Sequence, residues 1–217
     1  MDDHPSEVTD RAGAGDRLLP TRLLVACGIA APIILAVGTF LSGLTWEGYS
    51  HQAQMISELG GQDAPVPALQ NFVFFLVGTL VVAFSVSLYR ATRSRWGTLL
   101  VGYFGMTLLA LPVFPCDPGC AFETSTGIAH NVVALIGFVA VIAGIAVFSK
   151  QLAWRRYTQL SALLAVGAFT LFVVWNVSIG MGFEDQSGSL QRLFIGSIFL
   201  WVFLVAIRLR RVEWSST

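Results

Sequence analysis

"VVALIGFVAVIAGIAVF", residues 132–148, carries no charged and no hydrogen-bonding side chain. Such a run reads as a membrane-crossing helix, since at 1.5 Å rise per residue about 20 mainly apolar residues cross the hydrocarbon core. A membrane β-barrel would show segments of about 10 residues with alternating polarity, and this chain has none. Working outward, the run is preceded by "FPCDPGCAFETSTGIAHN", residues 114–131, which is polar and turn-rich. Before that lies a second uncharged run at 97–114. Two apolar helices with a short polar connection make a hairpin through one bilayer.

The same alternation fills the chain. Of 217 residues, 55% are hydrophobic and 12% charged, with a mean hydropathy of +0.71. A soluble domain carries about 25% charged residues. Charge-free runs place six spans near 23–44, 72–88, 97–114, 132–148, 160–182 and 190–207. The predicted fold class is therefore all-α, a six-span transmembrane helical bundle. One membrane domain is expected over 21–211, because the connections are too short to form a soluble domain. The segment 1–20 is polar, acidic and contains Gly and Pro, and it reads as a disordered cytoplasmic tail. Its acidic character and the spans that follow argue against a signal peptide. Residues 212–217 form a second short cytoplasmic tail.

Lysine and arginine set the orientation. Twelve of the thirteen basic residues cluster before the first span and after the second, fourth and sixth. The positive-inside rule makes that side cytoplasmic, with both termini inside, in a multi-pass protein of the cell membrane. Arg192, at the mouth of the sixth span, is the one exception. Interfacial anchoring accounts for the basic clusters and their neighbouring Trp96, Trp154 and Trp214.

Spans two, four and six open with "LQNFVFF", "AHNVVAL" and "LQRLFIG". Asn71, Asn131 and Arg192 in these openings stand 60 and 61 residues apart. Equal hairpins through one bilayer repeat at about this length, and the matched polar pairs add support for three repeated helical hairpins. From His130, helical steps reach Ala134, Gly137, Val141 and Gly144. Small residues mark the face where membrane helices approach closely, so His130 is expected to point into the bundle.

Between the first and second, third and fourth, and fifth and sixth spans lie Ser57, Glu58, Asp117, His130 and other polar groups, with Arg192 as the one cation. For any single one of these an interfacial cap of solvated acids and helix caps is the plain explanation. Arg192 and His130 stand apart because they fall inside or against predicted spans, where ionisable groups are costly. Asp117 or Glu58 could serve Arg192 as counter-charge. Cys116 and Cys120 flank a Pro-Gly turn, and a disulfide between them is the first expectation, ahead of metal ligation with His130 and a redox-active pair. Cys27, inside the first span, is expected only to pack. Zinc on His51, Glu58, Asp117 and His130 has suitable ligand types but no H-x-x-x-H or H-E-x-x-H spacing, and no other cofactor is expected. A Ser57–His130–Asp117 triad has the residue types without a spacing that supports it. No nucleotide-binding loop and no basic groove for nucleic acid is present.

"ISELGG" after the first span, "FPCDPG" after the third, "GIAHN" opening the fourth and "LQR" opening the sixth resemble the six-helix bacterial membrane proteins of the domain of unknown function 998 family. The resemblance covers nearly the whole chain from about residue 20. It implies a six-span fold with polar motifs on the outer side, and it supplies no reaction or ligand. The motif positions it marks are Ser57, Glu58, Asp117, His130, Gln191 and Arg192, to which the repeat adds Asn131. The functional expectation is an outward-facing polar pocket that binds a lipid headgroup or small anion, with Arg192 as charge partner. The alternative is an outward-facing hydrolase or lipid-modifying enzyme using His130 and Asp117 as acid and base or as metal ligands.

Overall fold

The computed structural model describes residues 9–152, 155–182 and 184–214. They form six helices: α1 Thr9–Leu44, α2 Pro67–Thr92, α3 Arg95–Ala110, α4 Ser125–Phe148, α5 Arg155–Gly180 and α6 Ser187–Trp214. The described residues contain no strand, and all six helices are long and apolar enough to cross a membrane. Each packs against its neighbours in the chain, and α6 closes on α1, so the bundle is a ring in helix order. The hairpins expected from the repeat are present, but α2 also packs on α3, which ties them into one body.

Several helices begin before the apolar stretches that announced them, and two of them begin at side-chain caps. The Ser94 hydroxyl accepts the Gly97 amide at the start of α3, and the Thr124 hydroxyl accepts the Gly127 amide at the start of α4. Each satisfies one of the amide donors that a helix start leaves without a partner. Pro67 opens α2, where its missing N–H costs nothing. At the other end of the chain, α1 covers Thr9–Leu44, and its membrane-crossing part is Thr21–Leu44. The last helix, α6, covers Ser187–Trp214, and residues 1–8 and 215–217 lie outside the described residues.

Close approach of small residues packs the first four helices. A Cβ on Gly78 of α2 would stand 2.7 Å from the Gly105 carbonyl of α3. On the small-residue stripe of α4, His130, Gly137, Val141 and Gly144 are buried and Ala134 is half-buried, and Gly144 faces Val101 of α3. The centre of the bundle is filled by rings. Phe138 meets Phe194 edge-on at 4.9 Å, and Phe104 packs against Phe199 at 6.1 Å. Pairs of this kind contribute about 0.5–1.5 kcal/mol beyond their burial. On α5 and α6 the Trp201 indole donates to the Ser161 hydroxyl across 2.8 Å. The polar loops 45–66 and 111–124 meet at one end of the bundle, where the Gln62 amide donates to the Cys116 carbonyl at 3.0 Å, and the start of α6 joins them there.

Candidate functional site

The polar-loop end holds two centres. The first lies where the loop after α1 folds over the start of α6. Gly188 and Ser189 donate their amides to the carbonyls of Ala53 and Gln52 at 3.0 and 2.9 Å. Loop carbonyls thus satisfy donors at the opening of the helix. The Ile56 amide donates to the buried Gln191 side chain at 2.6 Å. Arg192 completes the join. Its Nη1 donates to the carbonyls of His51 and Gln54, both at 2.7 Å, and to that of Gly188 at 3.0 Å. Its Nη2 donates to the Tyr49 hydroxyl at 2.6 Å and lies 3.2 Å from His51 Nδ1. The guanidinium also faces the Tyr49 ring at 5.8 Å.

None of these five partners is a carboxylate, although Glu58 and Asp117 were the expected counter-charges. Glu58 instead accepts the Met55 amide at 2.7 Å within its own turn. Burial raises its carboxyl above the ordinary range, while the Met55 amide, the Gln54 side chain and the more distant charge of Arg192 oppose the rise. Burial, and then the charge of Arg192, lowers the His51 imidazole. Its Nδ1 faces an arginine that can only donate, so it is the accepting nitrogen and the ring is neutral. Burial raises the Tyr49 hydroxyl, against the opposing effect of Arg192. Ser57 begins a short 3₁₀ turn, Ser57–Gly60, which carries the chain from this centre towards α2.

The second centre is the connection between α3 and α4. Asp117, 1% exposed, is enclosed by polar atoms of its own loop and of Gln62 from the loop after α1. It accepts from the Thr124 hydroxyl at 2.5 Å, the Glu123 and Thr124 amides at 2.9 Å each, and the Gln62 amide side chain at 2.8 Å. The Thr124 hydroxyl and amide, together with the other donors, hold its carboxyl below the ordinary range. Cys116 and Cys120 are joined as a disulfide, with Cα atoms 4.9 Å apart. Asn131 donates to the Cys120 and Ala121 carbonyls at 3.0 and 3.2 Å. His130, 3% exposed, places Nδ1 2.8 Å from the Phe114 carbonyl. A carbonyl only accepts, so Nδ1 carries the proton.

The seven sequence-marked positions therefore divide. Gln191 and Arg192 build the first centre with Glu58 nearby, and Ser57 follows on the connecting turn. Asp117, His130 and Asn131 belong to the second. The ring nitrogen bond of His130 goes to Phe114, and the Asp117 oxygens bond to Gln62, Glu123 and Thr124, so the three parts of a Ser57–His130–Asp117 triad are not assembled. Candidate ligand atoms of Cys116, Cys120 and His130 lie within 4.8 Å of one another. With the two sulfurs bonded together they are not thiolates, the form that ligates zinc. Tyr49, Gln54, Gly188, Gln62 and Thr124 carry much of the geometry and were not singled out in the sequence. Only their polarity on a shared membrane side marks them there.

Two concavities meet at the first centre. One, of ≈ 330 Å³, lies between α1 and α6 and is lined mainly by apolar residues, with Thr39, His51 and Arg192 as its polar members. The other, of ≈ 520 Å³, is a more open cleft lined by His51, Gln52, Ser189, Arg192 and Leu193. His51 and Arg192 are shared by both.

A family model described as "Protein of unknown function (DUF998)" matches residues 29–208, spanning all six helices. The chain belongs to the DUF998 family. No curated protein and no solved structure matches it. The DUF998 match begins within α1 and ends within α6, so both centres fall inside the family region.

Proposed function

We propose that this DUF998 protein lies in the cell membrane of a bacterium with both termini cytoplasmic, and that its outward end binds a lipid headgroup or small anion at Arg192. The observation that carries this is a cation that, among the described residues, has only carbonyl, hydroxyl and imidazole partners, at the junction of two concavities. The carbonyl groups around Arg192 hold the guanidinium in place without supplying a negative charge, and Glu58, which feels that charge, bonds to the Met55 amide instead. It is also the only Lys or Arg in the connections on this side. A fixed positive charge at the edge of an apolar zone attracts an anion, because neutralising it there offsets a cost of a few kcal/mol. Neutral His51, beside it, adds a polar ring without adding charge.

The enzyme alternative draws no support from the positions of Asp117 and His130, whose hydrogen bonds go to loop groups, those of Asp117 to Thr124, Glu123 and Gln62 and that of His130 to Phe114. Zinc draws none while Cys116 and Cys120 are bonded to each other.

The test is a thermal-stability titration of the detergent-solubilised protein with inorganic phosphate and with glycerol phosphate. Matched chloride controls for ionic strength. Saturation at 100 times the dissociation constant should add about 2.7 kcal/mol to the folded state. Arg192→Gln keeps amide donors for the loop carbonyls and removes the charge, and it should abolish the shift. A shift of equal size with chloride, or one that survives in Arg192→Gln, would sink the proposal.

A further inference from the structure

We infer that the cavity between α1 and α6 holds a single acyl chain whose anionic head meets Arg192. This rests on the anion site proposed above and adds the chemistry of the ligand's tail. The cavity extends from Thr39 and Arg192 at the polar-loop end to Pro32 and Phe199 deeper in the bundle. Seven residues along each helix, at 1.5 Å per residue, give it an axial reach of about 10 Å. That is the reach of the first part of a hydrocarbon chain, which continues beyond the cavity.

The way out is sideways. Phe40 on α1 is 56% exposed, and Gly196 on α6 is exposed as well. A Cβ built on Gly196 meets nothing within 4 Å, so the wall is open at that point. Both residues line the cavity and face the apolar layer in which membrane-spanning helices sit. A chain seated here leaves into the bilayer core, while its head stays in the polar cleft with His51 and Arg192. Charge complementarity selects an anionic head, because Arg192 is the one cation within reach. The slot lies between two helices that pack on each other, and its ≈ 330 Å³ accommodates one chain beside the guanidinium. A long-chain fatty acid is the simplest ligand with this chemistry.

The experiment uses the full chain in detergent with a long-chain fatty acid bearing a mid-chain diazirine. Photolabelling should map to peptides containing residues 32–40 and 195–199. Excess unlabelled fatty acid should compete, and the neutral alcohol of equal chain length should not. Gly196→Leu should lower labelling about tenfold, equivalent to about 1.4 kcal/mol. Leucine improves helix propensity over glycine, so the variant keeps the fold. Ala36→Phe, also on the exposed side of the cavity, should block from the opposite helix. Unchanged labelling in both variants, labelling spread over the bundle's whole apolar surface, or equal competition by the alcohol or by a two-chain phospholipid overturns the inference. Those results leave the anion site standing. A phosphate shift that survives Arg192→Gln defeats the anion site instead.

Discussion

Arg192 Nη1 lies 2.7 Å from the carbonyl oxygen of Gln54, a residue 138 positions earlier in the chain. That bond and its neighbours fasten the last helix to the first loop, at the point where α6 closes the ring against α1. Asn71 and Asn131 hold comparable places on α2 and α4. Each donates to the carbonyls of the loop just before its own helix, Asn71 to Gly60 and Asn131 to Cys120 and Ala121. The third member of the series is an arginine, and its longer side chain reaches across to a different loop.

Arg192→Ala removes a charged donor from several carbonyls at once. Hydrogen bonds to charged groups contribute about 1.5–3 kcal/mol, so a loss of about 2–3 kcal/mol is expected, read as a lower unfolding temperature in detergent. Arg192→Lys should recover only part, because an ammonium cannot reproduce the two-nitrogen fork. Combined with Asp117→Asn, the losses should add within about 0.5 kcal/mol, since the two residues share no hydrogen-bond partner. A larger coupling would show that the two centres act as one.

Asp117 makes the second centre sensitive to acid. Its carboxyl is held below the ordinary range in the folded protein. Its contribution is therefore fully present above the unfolded-state value and lost as pH falls through the folded-state value. Unfolding temperatures measured on going from neutral pH to below the ordinary carboxylate range should fall more steeply for the parent than for Asp117→Asn. Parallel acid profiles for the two would contradict the assignment.

Three glycines form an internal comparison. A Cβ on Gly127 would overlap the Asp117 carboxylate, and one on Gly188 would overlap the Gln54 carbonyl and stand 2.8 Å from Arg192 Nη1. Both replacements by alanine should destabilise. Gly196→Ala meets open space and should stabilise by up to about 1 kcal/mol through helix propensity. Equal effects at all three positions would show that crowding at the two centres is not what sets the cost.

The disulfide is checked by thiol labelling of non-reduced protein with Cys27 replaced by alanine. No labelled cysteine is expected. Because only four positions separate Cys116 from Cys120, opening the bond should cost about 2 kcal/mol by loop entropy. Two freely labelled thiols would contradict the bond and restore a possible Cys116–Cys120–His130 metal set.

A reporter fused after Thr217 should be cytoplasmic and one inserted near Asp63 external. The reverse result would overturn the orientation drawn from the basic residues, and with it the outward placement of the anion site.

What was legible in the sequence is what depends on local composition. Uncharged runs such as 132–148 announce a helix by their length, because a bilayer demands enough consecutive apolar residues whatever the neighbours are. The His130 stripe showed its inward face for the same reason, since helical phase is a local property. The polar pairs opening spans two, four and six were also visible, and Gln70, His130 and Gln191, the first of each pair, are the members that became buried. The partners were not legible. Arg192 had Asp117 and Glu58 as the obvious charges on its side of the membrane, yet it bonds to carbonyls of a loop 138 and 141 residues away. Backbone carbonyls occur at every position, so no residue type marks the ones a guanidinium will find. Only the ring closure of α6 on α1 brings residues 51–54 over the start of the last helix. It is that closure, a property of packing among all six helices, that put Arg192 and His51 at the mouth of the cavity.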